Sequence, residues 1–132
     1  MSVSADNKMK QQERIILVVD DSAYVRQMVR YSLVQHPYQL IESADGVAAL
    51  ECMDASHVDL VITDLKMPNM DGFELIHEIR KRSGCELLPI IMLTGEDDEK
   101  NRIKAREAGV SAFIVKPFVP EQISGLVQSV FS

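Results

Sequence analysis

The chain has 132 residues, with 14 Lys plus Arg against 20 Asp plus Glu, a formal net charge of −6. That length suits one domain that buries roughly two thirds of its unfolded surface. The acidic balance, with no Lys/Arg block, argues against a body that covers nucleic-acid phosphates or anionic lipid, because both demand clustered positive charge.

No apolar run exceeds about five residues, against the roughly 20 that a spanning helix needs, and the polar start from Met1 to Gln12 has no apolar signal core. Cys52 and Cys85 are far apart, with no Cys-x-x-Cys pair and no His at zinc-ligand spacing, which fits a reduced compartment. A cytoplasmic chain with no membrane insertion is therefore expected. His36, His57 and His77 stand singly and read as surface or edge residues; Lys81 stands where a zincin helix would carry its second His after His77-Glu78.

In chain order, residues 1–13 are polar and aperiodic, too poor in apolar side chains to offset the entropy of ordering them, so a flexible tail is expected before a folded part at 14–132. Ile15-Ile16-Leu17-Val18-Val19 predicts a first strand, and Val25, Met28, Val29 and Leu33 a helix that stops before Pro37. Tyr38-Gln39-Leu40-Ile41-Glu42 alternates, as an edge strand does, and Asp45-Gly46 opens a second helix. Leu60-Val61-Ile62 predicts the third strand; Asp71 is the expected N-cap of a helix carrying Leu75, Ile76 and Ile79.

Ile90-Ile91-Met92-Leu93 follows as the fourth strand, then an acid-rich helix start over Glu96 to Glu99 and a stop at Gly109. Ala112-Phe113-Ile114-Val115 is the fifth strand, and Pro120 occupies the first turn of a last helix with Ile123, Leu126, Val127, Val130 and Phe131. Unbroken aliphatic runs mean strands buried on both faces, and spacings of three and four put one apolar stripe of each helix against the sheet. The chain is thus an α/β protein, (βα) repeated five times in a doubly wound parallel sheet.

Sheets of this kind bind ligands beyond the carboxyl ends of their strands, where the winding direction reverses. Those ends carry Asp20 and Asp21, Asp64, Thr94 and Lys116. Crowded carboxylates repel unless a cation joins them, and oxygen-only ligands select a hard ion, Mg²⁺ before zinc or copper. An ammonium and a hydroxyl beside them suit a phosphoryl group. The chain has no GxxxxGK or GxGxxG to cradle a nucleotide and no Ser, His and Asp set, so a carboxylate is the nucleophile that remains, able to form an aspartyl phosphate. Asp64 is the best candidate, because it ends the central strand while the adjacent Asp20 and Asp21 can share the metal.

Val18-Val19-Asp20-Asp21-Ser22, Asp64 to Gly72, Leu93-Thr94-Gly95 and Lys116-Pro117-Phe118 together resemble the receiver domain of bacterial two-component response regulators, the single-domain chemotaxis type, over about residues 14 to 132. The resemblance implies a flavodoxin-like sheet in the order 2-1-3-4-5 and a phosphorelay role. Asp64 would accept a phosphoryl group from a phosphohistidine on a sensor histidine kinase or a histidine phosphotransfer protein. Asp21 and Asp64 would bind Mg²⁺ directly, Asp20 largely through water, and the backbone carbonyl of Lys66 would complete the set. Thr94 and Lys116 would hold the phosphoryl oxygens, and the Lys116-Pro117 bond would be cis. Thr94 and Phe113 would act as the switch that remodels the face of the fourth helix, fifth strand and fifth helix, which controls a downstream protein or an output domain of a longer regulator.

Two departures matter. Lys66 stands where relatives often carry Asn, near the phosphoryl pocket, and bears on the lifetime of the phosphorylated state; Phe113 replaces the Tyr of some relatives. Two other functions compete: a pseudo-receiver scaffold, and a Mg²⁺-dependent phosphatase of the haloacid-dehalogenase type. The latter wants a second Asp two residues after the nucleophile, where this chain has Lys66.

Overall fold

The computed structural model describes residues 13–95 and 99–132. The tail expected at 1–13 lies, apart from Glu13, outside the described residues, as do Glu96, Asp97 and Asp98 of the acid-rich helix start. Five strands, β1 (Arg14–Val19), β2 (Tyr38–Ser43), β3 (Leu60–Asp64), β4 (Ile90–Thr94) and β5 (Ala112–Val115), alternate with five helices, α1 (Ala23–Leu33), α2 (Gly46–Ala55), α3 (Gly72–Arg80), α4 (Glu99–Ala108) and α5 (Pro120–Phe131). The strands are parallel and stand in the order β2-β1-β3-β4-β5. The winding direction therefore reverses between β1 and β3.

The aliphatic runs divide their side chains between two cores, as the twofold period of a strand requires. Leu17, Val19, Val61, Ile90 and Met92 face one side, where Ala49 of α2, Leu75, Ile76 and Ile79 of α3 and Ala105 of α4 close over them. Ile16, Val18, Leu60, Ile62, Ile91, Leu93 and Ile114 face the other, covered by Val29 and Leu33 of α1 and Ile123 and Val127 of α5. Every residue of β3 and of β4 is buried, whereas β2 at the edge exposes Gln39 and Glu42.

The helices start where the sequence signals stand. The Asp45 side chain accepts the Ala48 N–H at 2.8 Å, and Asp71 with Glu74 forms a reciprocal capping box at 2.8 and 3.0 Å. Gly109 ends α4 at φ 87°, a left-handed conformation that glycine adopts without penalty. Pro120 opens α5, with the Gln122 side chain accepting the Val119 N–H at 2.8 Å. At α1 the cap is Ser22, whose hydroxyl accepts the Val25 N–H at 3.3 Å. Asp20 and Asp21 are thereby left for other work. No helix among the described residues is long and apolar enough to cross a membrane.

Candidate functional site

The carboxyl ends of β1 and β3 lie side by side at the reversal point, with Val18 paired to Ile62 and Val19 to Thr63. Asp20 follows β1 directly and Asp64 ends β3, and both are buried, whereas Asp21 is exposed. One carboxylate oxygen from each of these three aspartates lies within 4.8 Å of the others. Lys116, just past β5, reaches into the group: its Nζ donates to Asp20 Oδ2 at 3.0 Å and pairs with Asp64 Oδ1 at 3.1 Å. Thr94, at the end of β4, is buried, and its carbonyl accepts the Lys116 N–H at 2.6 Å. The Lys116-Pro117 peptide is cis. The structure thus brings together the side chains of Asp20, Asp21, Asp64 and Lys116, and sets Thr94 at the end of the neighbouring strand, joined to Lys116 through the backbone.

One cation is shared here by two buried anions, and the protonation equilibria follow from that count. Burial, and then the Asp20 charge, push the Asp64 carboxyl above the ordinary aspartate range; Lys116 and the Leu65 N–H, which donates to Asp64 Oδ1 at 2.9 Å, pull it back by less. Burial by itself lowers the Lys116 ammonium, but its hydrogen bonds to Asp20 and Asp64 outweigh that and hold it above the ordinary lysine value. Lys116 gains from two anions, while Asp64 gains from one cation and is opposed by one anion.

The donor set suits a hard divalent ion. Three carboxylates close enough for one ion to bridge, with oxygen as the only ligand atom they offer, match Mg²⁺, and the net negative charge left after Lys116 is counted favours a cation's entry. The three histidines contribute nothing to it: His57 bonds Asp59 at 3.0 Å, His36 stacks on Tyr38, and His77 is exposed on α3. Lys66 is exposed, in the loop between β3 and α3. Phe113 is half-buried against the core beneath α3 and α4 and lines a groove with Ala105, Arg106 and Val110. Among the described residues, a Cβ placed on Gly95 would meet nothing within 4 Å.

Two features of the site were not read from the sequence. The first is the closeness of α3 to the acceptor strand: a Cβ on Gly72 would lie 2.5 Å from the Asp64 carbonyl oxygen and 3.0 Å from Leu65 Cα. The second is Arg26, whose Nη1 donates to the Asp20 carbonyl at 2.6 Å and whose Nε donates to Glu42 Oε1 at 3.0 Å. Its signal in the sequence was a cation one turn after the helix cap, but its partner Glu42 is 16 residues away.

Comparison with known proteins agrees with this geometry. The response regulator receiver domain model matches residues 16–128. Among curated relatives, the chain is 40% identical over 119 residues to the probable transcriptional regulator ycf27 of Porphyridium aerugineum, covering 90% of this chain and 48% of that protein. It is 40% identical over 111 residues to the transcriptional regulatory protein ResD of Bacillus subtilis, covering 84% and 45%. The chain thus spans about half the length of these relatives. Among solved structures, chemotaxis protein CheY4 of Vibrio cholerae superposes with a TM-score of 0.84 at 36% identity, over 89% of this chain and 98% of that one. The receiver domain of a signal transduction histidine kinase from Syntrophus aciditrophicus gives a TM-score of 0.80 at 27% identity, over 89% of each chain. With a family match over most of its length and a CheY-like sheet beneath the acidic site, the chain belongs to the response regulator receiver domains, the phosphorylation-dependent signalling modules of two-component systems.

Proposed function

We propose that Asp64 is the phosphoacceptor and that its phosphoryl donor is a phosphohistidine on a sensor histidine kinase or a histidine phosphotransfer protein in the cytoplasm. The observation that carries this is the convergence of Asp20, Asp21 and Lys116 on the buried carboxylate that ends the central strand, with Thr94 buried at the end of the neighbouring β4. A carboxylate oxygen of Asp64 attacks phosphorus, the phosphorus–nitrogen bond of the donor breaks, and the electron pair goes to that ring nitrogen; because the donor ring carries a proton on its other nitrogen, it leaves as neutral imidazole. The product is an acyl phosphate.

The carboxylates of Asp20, Asp21 and Asp64 with the backbone carbonyl of Lys66 are the groups that would hold Mg²⁺, which supplies charge neutralisation for the incoming phosphoryl oxygens. The protein's own residues do the rest. The Lys116 ammonium, paired with Asp64 before transfer, passes to a phosphoryl oxygen as negative charge moves onto the acceptor. The Thr94 hydroxyl turns towards a second phosphoryl oxygen, and Phe113 shifts in its groove beside α4. The phosphoryl group can only bias two pre-existing arrangements by its differential contacts, so the change is a population shift that alters the face of α4, β5 and α5 for a partner protein or an output domain. The curated relatives, named as transcriptional regulators and about twice as long, supply the example of such a domain.

The test is intact mass after incubation with acetyl phosphate and Mg²⁺. Wild type is expected to gain one phosphoryl group, and Asp64→Ala, or wild type without the metal, none. No adduct on wild type, with no fluoroberyllate complex, would turn the assignment to a pseudo-receiver scaffold. Rapid phosphate release without an adduct would favour the phosphatase.

A further inference from the structure

We infer that Arg26 is a positioning residue for the Asp20–Asp21 pair, holding the peptide between them in the orientation that binds a divalent cation. This rests on the assignment of Asp20, Asp21 and Asp64 as the Mg²⁺ site. Asp20 is fully buried and fastened at every polar atom. Its N–H donates to the Ser43 carbonyl at 3.1 Å, Oδ1 accepts the Ser22 N–H at 2.9 Å, Oδ2 accepts from Lys116 at 3.0 Å, and its carbonyl accepts from Arg26 Nη1 at 2.6 Å. A peptide unit is planar, so fixing the Asp20 carbonyl fixes the plane whose other end carries the Asp21 N–H and Cα. Asp21 is exposed, and packing does little to aim it. The plane that Arg26 holds therefore fixes where the Asp21 Cα stands, and with it the point from which the carboxylate reaches the cluster.

Arg26 is itself held. Its Nε donates to Glu42 Oε1 at 3.0 Å, and the other Glu42 oxygen accepts from Arg30 at 2.7 and 2.9 Å. The side chain of Arg26 is 18% exposed and ties three elements together: the end of β1, α1 and β2. A guanidinium offers donors at fixed angles to two acceptors at once, whereas an ammonium on a flexible stem holds them loosely. Removing a group that orients metal ligands without touching the metal typically costs roughly 10- to 100-fold in affinity.

The test is calorimetric titration of the chain with magnesium chloride, backed by the Mg²⁺ dependence of acetyl phosphate transfer. Arg26→Met is expected to raise the Mg²⁺ dissociation constant roughly tenfold. The transfer rate at saturating Mg²⁺ stays near wild type, and Arg26→Lys restores part of the affinity. Glu42→Gln, which keeps an acceptor for Arg26 but removes the charge that holds it, has a smaller effect in the same direction. Arg30→Gln, which leaves the Asp20 carbonyl contact in place, has none. Should Arg26→Met fail to fold, Arg26→Lys and Glu42→Gln decide by the same titration. A merely structural role would lower the melting temperature while leaving the dissociation constant unchanged, and that outcome overturns the inference. Wild type that shows no Mg²⁺ binding overturns the metal site itself.

Discussion

Asp64 answers to two opposed demands: a nucleophile must be ionised, yet burial and the neighbouring Asp20 favour its protonated form. The folded state therefore binds a proton at Asp64 more readily than the unfolded chain, whose aspartates titrate near 3.8. Between that value and the raised one, the unfolded state releases its proton first, so the contribution of Asp64 to stability falls as pH rises. Asp64→Asn removes the charge and with it this penalty. In metal-free buffer at neutral pH the variant is expected to resist urea better than wild type, and below pH 3.8 the advantage is expected to disappear. A variant less stable than wild type at neutral pH would mean that Lys116 more than offsets the burial of Asp64. The strained site is the price of a carboxylate kept ready for phosphorylation.

Between elements, the sharpest constraint is the approach of α3 to the end of β3. The Gly72 N–H donates to the Leu65 carbonyl at 2.7 Å, and the missing Cβ is what lets the helix start against the acceptor strand. Gly72→Ala pushes a methyl into backbone that cannot yield, and a loss of about 3 kcal/mol is expected, the upper end of ordinary overpacking. Gly46→Ala is the comparison. There the added carbon meets only side-chain atoms of Met70, Sδ at 2.6 Å, Cγ at 3.0 Å and Cβ at 3.1 Å; the sulfur can rotate away and the Met70 loop must give by a few tenths of an ångström, so the cost is expected to be smaller than against the backbone facing Gly72. Urea denaturation of both variants checks the order, and equal losses would refute the argument from backbone rigidity. Neither glycine could be ranked from the sequence, where both simply follow an aspartate at a helix start.

Across the whole molecule, a single guanidinium joins segments that the sheet leaves apart. Arg80, at the end of α3, donates from Nη1 to the carbonyls of Cys85 at 2.9 Å and Leu88 at 2.7 Å, and from Nη2 to that of Gly109 at 2.8 Å. It ties the connection into β4 to the end of α4, the helix beside the Phe113 groove. Arg80→Met keeps the stem and removes the donors. A loss of about 3 kcal/mol is expected from three carbonyls left without their charged donor. Faster amide exchange over residues 85–88 and 105–110 should accompany it. A change within about 0.5 kcal/mol, the range of ordinary surface substitutions, would show that water replaces the clamp.

The sequence by itself determined the order of elements, because four of the five strands are unbroken aliphatic runs and the helices announce themselves by spacing and by Asp45, Asp71, Gly109 and Pro120. It also singled out Asp20, Asp21, Asp64, Thr94 and Lys116, since a parallel sheet collects the residues at its strand ends and the flanking motifs are those of the receiver family. Tertiary structure alone decided what joins them. Lys116 meets Asp20 across 96 positions, Arg26 meets Glu42 across 16, and Arg80 meets Gly109 across 29. Such pairings depend on which strand lies beside which and on how closely each helix settles on the sheet. Local periodicity, which fixes the face a residue shows but not the residue it meets, carries no record of them.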